Sequence, residues 1–343
     1  MPRPSPPPID LALQGGGSHG AFTWGVLDRL LEDGRLRIDG VSGTSAGALN
    51  AGVLATGWAH GGATGARDAL RAFWLDVSSH GACFGAPALG PPASGLAGYN
   101  LDANPFYAWT NQWLKLFSPS QFNPLGLNAL RDVARRHVSD DAMRHGPLKL
   151  FVTATLVATG QPEVFMGERL SLDALLASAC LPQLFSAVEI DGVAYWDGGY
   201  SGNPAIWPLI YHTAAADVLL IKINPLVRPG VPDTPMEIAD RVAEITYNAG
   251  LVGELRAIHF VQALIKSRKL DRRRYKNLRL HMVSDEEGLA SLHQSSKLNT
   301  DRNFLLALHE LGRVAAQGWL ERDLAQVGRR SSLDIEKTFL ARR

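Results

Sequence analysis

The sequence predicts an α/β protein with a central, mostly parallel sheet, and three stretches carry that prediction. Residues 9–14 are a short apolar run that enters Gly15-Gly16-Gly17-Ser18-His19-Gly20 and then a helical pattern over 21–32. Residues 36–42 form a second strand pattern, which runs into Gly43-Thr44-Ser45-Ala46-Gly47 and a helix from 46 to about 55. Farther on, 217–223 is a continuous apolar run, as expected of a strand buried on both faces. Two strand–helix units at the start of the chain imply parallel pairing, because each helix returns the chain to the same edge of the sheet.

The remaining elements follow in order. Gly34 ends the first helix, since only glycine freely adopts the left-handed geometry of a helix stop. Residues 84–127 are rich in Gly, Pro and aromatic residues and read as an insertion, within which Phe106, Trp109, Trp113 and Leu116 recur at helical spacing. A helix to about 138 leads to a strand over 148–157 and a hairpin return through Val164 and Phe165. A helix over 172–180 is stopped by Pro182, and strands over 187–190 and 193–196 flank the approach to Asp197-Gly198-Gly199. From about 235 the chain reads as helical, with one strand over 278–283. Residues 1–8 read as a disordered leader, 9–327 as one domain and 328–343 as a C-terminal tail.

With 343 residues and 46 % hydrophobic content the chain can bury a sizeable core. Lys+Arg 34 against Asp+Glu 33 leaves a net charge of +1, which gives no electrostatic footprint for nucleic acid. Cys83 and Cys180 match no zinc or redox spacing and read as reduced thiols. The prolines at the start lack the apolar core of a signal peptide, and no apolar run of 18 residues occurs, so the expectation is a cytoplasmic protein.

Ser45 is the centre of a G-x-S-x-G sequence between a strand and a helix. That context forces the serine into a tight turn, with Gly43 and Gly47 removing side chains that would collide there, and presents its hydroxyl at the end of the sheet. The glycine loop admits two readings. Gly15, Gly17 and Gly20 fit a dinucleotide fingerprint with Asp39 as the ribose acid. Alternatively the backbone N–H groups of Gly15, Gly16 and Gly17 converge on a developing oxyanion. The second strand delivers a serine elbow where a dinucleotide fold delivers an acid, and this favours acyl transfer. Asp197, at a strand end before Gly198 and Gly199, supplies the carboxylate that takes the serine proton.

Taken together, these motifs resemble the patatin-like phospholipases. The loop 15–20 is similar to their oxyanion loop, Gly43-Thr44-Ser45-Ala46-Gly47 to their nucleophile elbow and Asp197-Gly198-Gly199 to their aspartate motif. Ala177-Ser178 with Pro182 also fits. The resemblance covers about 9–225 and implies a three-layer α/β/α sandwich. It further implies a Ser45–Asp197 dyad that cleaves lipid acyl esters through an acyl-enzyme, with no cofactor and no metal. Where that family begins its loop with Asp and carries Arg or Lys, this chain has Gln14 and His19. A fixed positive charge is therefore missing from the loop, and His19 is charged only at lower pH.

Other readings stay open at this level. A thioesterase, a polyester depolymerase or an acyltransferase would use the same dyad. A Ser-His-Asp triad needs one of His212, His259, His281, His293 or His309, none of which stands in a recognisable motif. A lipid-binding module without activity, and a dinucleotide-binding protein, are remoter. The aromatic stripe suits either an acyl channel or lipid surface, or plain core packing. Lys266, Arg268, Lys269, Arg272, Arg273, Arg274 and Lys276 form a basic run that either contacts anionic headgroups of a membrane or is a solvated helix end.

Overall fold

The computed structural model describes residues 7–80, 95–107, 109, 116–123, 128–228, 230–271 and 273–341. Residues 1–6 of the expected leader, Cys83, much of the insertion including Trp113, and Arg272 lie outside them. The first strand begins one residue earlier than expected, as β1 (Pro8–Leu13), and is followed by α1 (Gly20–Asp33), β2 (Arg37–Thr44) and α2 (Ala46–His80). Gly34 caps α1 in the left-handed conformation at φ 68°. The second helix runs past its sequence pattern to Gly61 and Gly62, whose non-helical backbone breaks it, and a second helical stretch then continues to His80.

After the short helices α3 (Ala129–His137) and α4 (Asp140–His145) come β3 (Lys149–Leu156), β4 (Pro162–Phe165), α5 (Leu172–Ser178), β5 (Val188–Ile190) and β6 (Val193–Asp197). The chain then crosses through α6 (Trp207–His212) to β7 (Asp217–Ile221), α7 (Pro235–Lys266), β8 (Arg279–Val283) and α8 (Arg302–Arg322). A capping box, Thr234 with Glu237, and Pro235 in the first turn fix the start of α7.

Eight strands form one sheet in the order β5-β6-β3-β2-β1-β7-β8, with β4 also paired to β3. The pairs from β3 through β2, β1 and β7 to β8 are parallel, as the paired strand–helix units require, and β4, β5 and β6 are antiparallel additions. Alternate residues of the buried strands feed two separate cores. Ile9, Leu11, Leu13, Leu219 and Ile221 pack with α1, α2 and α8, whereas Ala12, Val218 and Leu220 pack with α6 and α7. This division is the three-layer α/β/α sandwich read from side-chain alternation. Helices α1 and α8 touch through their backbones at Gly25 and Gly312, where an added Cβ would collide with the carbonyls of His309 and Phe22.

The residues expected to form a C-terminal tail are docked. Ser332 and Leu333 N–H groups both donate to the Leu280 carbonyl, and Ile335 is buried in the core beneath α7. No described helix is long and apolar enough to cross a membrane.

Candidate active site

The strand register brings the serine and the aspartate together. β2 pairs with β3 as far as Thr44 opposite Thr153, and from Ala154 opposite Asp197 the strand β6 takes over the same edge, since β4 occupies the other. Ser45 therefore leaves the sheet at the fork where Asp197 arrives. The Ser45 Oγ–H donates to Asp197 Oδ2 at 2.7 Å.

Ser45 stands at φ 55°, a left-handed conformation uncommon for a residue with a side chain and expected of a nucleophile elbow. Gly43 has no room for a Cβ, which would lie 2.5 Å from the Gly47 carbonyl oxygen, and Gly47 is backed directly against the Leu13 carbonyl. Helix α2 starts at Ala46, so its positive end faces the serine oxygen. Ser178 holds the turn from behind: its Oγ accepts from Ser45 N at 2.9 Å and donates to the Thr153 carbonyl. Ser45 remains partly accessible whereas Asp197 is buried.

Asp197 is held at every polar atom. Its Oδ1 accepts from Gly199 N at 2.7 Å, its N–H donates to the Cys180 carbonyl, and its carbonyl accepts from Thr155 Oγ1. Gly198 is pressed against the Thr153 carbonyl and Gly199 against the Tyr247 ring, which explains the two glycines after the aspartate. Burial pushes the Asp197 carboxyl up to about 6, against the opposing effects of the Gly199 and Ser45 hydrogen bonds. A carboxylate so tuned is ionised at neutral pH yet basic enough to take a proton.

The glycine loop lies beside the elbow, with Gly15 against Thr44 and Ser45. One expected oxyanion donor is corrected: Gly15 N–H donates to Asn203 Oδ1 at 2.6 Å and faces away from the hole. Gly16 and Gly17 N–H groups find no acceptor among the described residues, and Gly17 has φ 58°. Gln14 anchors the loop base, accepting from Ile223 N and Asn224 N and donating to Asn203 O and Asn248 Oδ1. His19 is buried, its Nε2 is 2.8 Å from Ser296 Oγ, and burial with Lys297 and Arg228 nearby holds its pKa well below the usual range. It is a neutral strut, and acidification does not readily charge it.

Sequence reasoning missed Asn203, Asn224, Asn248 and Lys297. Lys297 Nζ is 2.6 Å from Asn224 Oδ1 and 5.4 Å from the centre of the Tyr247 ring. None of the five later histidines hydrogen-bonds to Ser45 or Asp197 among the described residues. His281, His293 and His309 face Asp217, Asp102 and Asp28, and His212 stacks on Phe151. The triad reading is not met.

Two surface readings resolve differently. Phe106 and Trp109 are 55 % and 56 % exposed, so this part of the stripe is not core. The basic segment between Lys266 and Lys276 leads into the start of β8, and because β8 runs parallel to β7, β1 and β2 that start lies at the far end of the strands from Ser45, which follows the end of β2. Lys266, Arg268, Lys269, Arg273 and Arg274 therefore do not flank the site, and Lys276 caps carbonyls of Leu209 and Thr213. Asp102, Asp240 and His293 bring ligand-type atoms within 4.8 Å of one another.

Fold and site together set a left-handed serine turn between strand and helix, beside a buried carboxylate, on an α/β sandwich. Residues 11–210, more than half of the chain, match the model of the patatin-like phospholipases, and the chain belongs to that family of lipid hydrolases. It is similar to VipD from Legionella pneumophila, with 13 % identity and a TM-score of 0.40 over 93 % of this chain and 67 % of that one. It is also similar to the ExoU–SpcU complex of the Pseudomonas aeruginosa type III secretion system, with 17 % identity and a TM-score of 0.32 over 98 % and 75 %. No curated protein matches it in sequence.

Proposed function

We propose that the chain is a lipid acyl hydrolase of the phospholipase A or lysophospholipase type, working through a Ser45–Asp197 dyad and a covalent acyl-enzyme. The observation that carries the reading is the 2.7 Å hydrogen bond from Ser45 Oγ to a buried carboxylate at a left-handed elbow. Ser45 Oγ attacks the ester carbonyl carbon as its proton passes to Asp197 Oδ2. The carbonyl oxygen takes the negative charge and accepts from Gly16 N–H and Gly17 N–H, next to the positive end of α2. The ester C–O bond then breaks and the leaving alcohol takes the proton from Asp197. Water attacks the acyl-enzyme, giving its proton to Asp197, and Ser45 regains it as the fatty acid leaves. Each proton is returned, so the cycle needs no cofactor and no metal.

Contact with lipid falls to the rim on the side of the serine. The exposed Phe106 and Trp109 pack on each other a few residues after Asp102, which lies beside Asp240 of α7, and on that helix Ile238, Val242 and Ile245 recur on one face and are exposed. The test is fatty-acid release from a panel of phospholipids, lysophospholipids, acyl-CoA and short nitrophenyl esters, wild type beside Ser45→Ala. Lipid esters turned over by wild type and not by Ser45→Ala support the reading. Turnover that survives Ser45→Ala refutes it, and acyl-CoA as the only substrate would move the chain to the thioesterases.

A further inference from the structure

The segment 291–299 comes from beyond the family match and is fastened onto the glycine loop through His19 and Gly17, and onto the chain at Tyr99 and Leu101. Ser296 Oγ meets His19 Nε2 at 2.8 Å, Asn299 Nδ2 donates to the Tyr99 carbonyl, and Ser295 Oγ accepts from Leu101 N at 3.0 Å. Gly17 lies directly on the Lys297 carbonyl, where a side chain would not fit. These contacts deliver one cation to the loop. Lys297 Nζ donates to Asn224 Oδ1 at 2.6 Å, and Asn224 Nδ2 donates to the Gly15 carbonyl at 2.7 Å.

The end of this chain of hydrogen bonds decides its role. In a trans peptide the carbonyl and the following N–H point in opposite directions. A bond accepted by the Gly15 carbonyl therefore aims and polarises the Gly16 N–H on the other side of the same peptide plane. Meanwhile no carboxylate of the described residues lies within 4.0 Å of the ammonium; the nearby Glu244 is taken by Arg228 and Arg241. Lys297 is a cation without an ion-pair partner beside a site where negative charge develops.

We propose that Lys297 is the charged anchor of the oxyanion hole, orienting the Gly15–Gly16 peptide through Asn224 and supplying the positive charge that Gln14 and His19 do not. It is a positioning residue acting through Asn224 and its field, and the assignment rests on the dyad reading above. The groups facing it are Asp240, Glu244 and Tyr247 from α7, Arg228, Asp197 and His19. Desolvation, aided by Arg228 and opposed by Glu244, Asp240 and Asp197, lowers the Lys297 pKa to about 8. The positive charge is present below that pH and is lost as pH rises through it.

The test is kcat, KM and the pH–rate profile of Lys297→Met and Lys297→Arg on the best ester substrate, with Ser45→Ala alongside. Removing a direct oxyanion donor costs about 10²–10³ in kcat, so an indirect anchor should cost about 10- to 100-fold with KM little changed. Lys297→Met should also lose the alkaline fall near pH 8. Lys297→Arg should recover most of kcat and move that fall to higher pH, a result that a purely structural lysine would not give. Wild-type kcat in Lys297→Met overturns the assignment. So does an unmoved alkaline limb in Lys297→Arg, which decides the case if Lys297→Met fails to fold. An inactive Ser45→Ala beside either result leaves the dyad standing, whereas an active Ser45→Ala overturns the dyad itself.

Discussion

Replacing Asp197 with Asn separates catalysis from stability, and the structure sets both magnitudes. Asn is nearly isosteric and can still accept from Gly199 N, so the elbow geometry should persist. It cannot take the Ser45 proton, and turnover should fall on the order of 10²–10⁴-fold, the range of general-base removal. Stability should move the other way. The carboxyl rises from 3.8 to about 6 on folding, which corresponds to about 3 kcal/mol held against the ionised folded protein. Because the folded pKa is the higher one, the folded state binds the proton more tightly. Stability from this group is therefore greatest below about pH 4 and falls as pH rises to about 6. The neutral Asn avoids the penalty, so Asp197→Asn should exceed wild type by about 1–3 kcal/mol at pH 7 and lose that advantage near pH 4. Urea unfolding of both proteins at pH 4, 5, 6 and 7, with turnover measured in parallel, provides the comparison. An Asn variant less stable than wild type at pH 7, or an advantage independent of pH, would refute the assignment of a strained, buried carboxylate.

Three further outcomes follow from the same geometry. The wild-type rate should fall about tenfold per pH unit below about 6, as Asp197 takes up a proton; a rate flat down to pH 4 would contradict the proton role. Gly25→Ala drives a methyl into the His309 carbonyl where α1 meets α8, and should cost about 1–3 kcal/mol in thermal unfolding while leaving the dyad intact; unchanged stability would mean that the contact is looser than described. Dialysis against EDTA should leave turnover unchanged, and a loss restored by a divalent cation would turn attention to Asp102, Asp240 and His293.

Much of the fold was legible because local signals and long-range packing agree. Gly34, the apolar runs of the buried strands and the two strand–helix units each dictate an element by themselves. The serine and aspartate were legible for a related reason: strained turns between regular elements need glycines, and those glycines are written beside Ser45 and Asp197. Gly15 shows where local pattern stops. Its N–H is taken by Asn203, a residue with no local pattern to mark it, and the choice between Gly15 and Gly16 as donor depends on that distant side chain. Lys297 was likewise hidden, because a lone lysine in a polar stretch reads as solvated surface until folding sets it beside Asn224. Gln14 read as a departure from the family pattern; its two oxygen and nitrogen ends instead tie β1 to the Asn203 and Asn224 turns. The aromatic stripe could not be assigned from periodicity, since helical spacing of large side chains is the same for a core face and a lipid-facing one.

The dyad is tested most directly by the site and rate of fluorophosphonate labelling, read by mass spectrometry of the peptide that contains Ser45. A single adduct on Ser45 in wild type, no adduct in Ser45→Ala and labelling slowed by at least about 10²-fold in Asp197→Asn are the expected results. An adduct on another residue, or labelling of Ser45 at the same rate without the Asp197 carboxylate, would contradict the account.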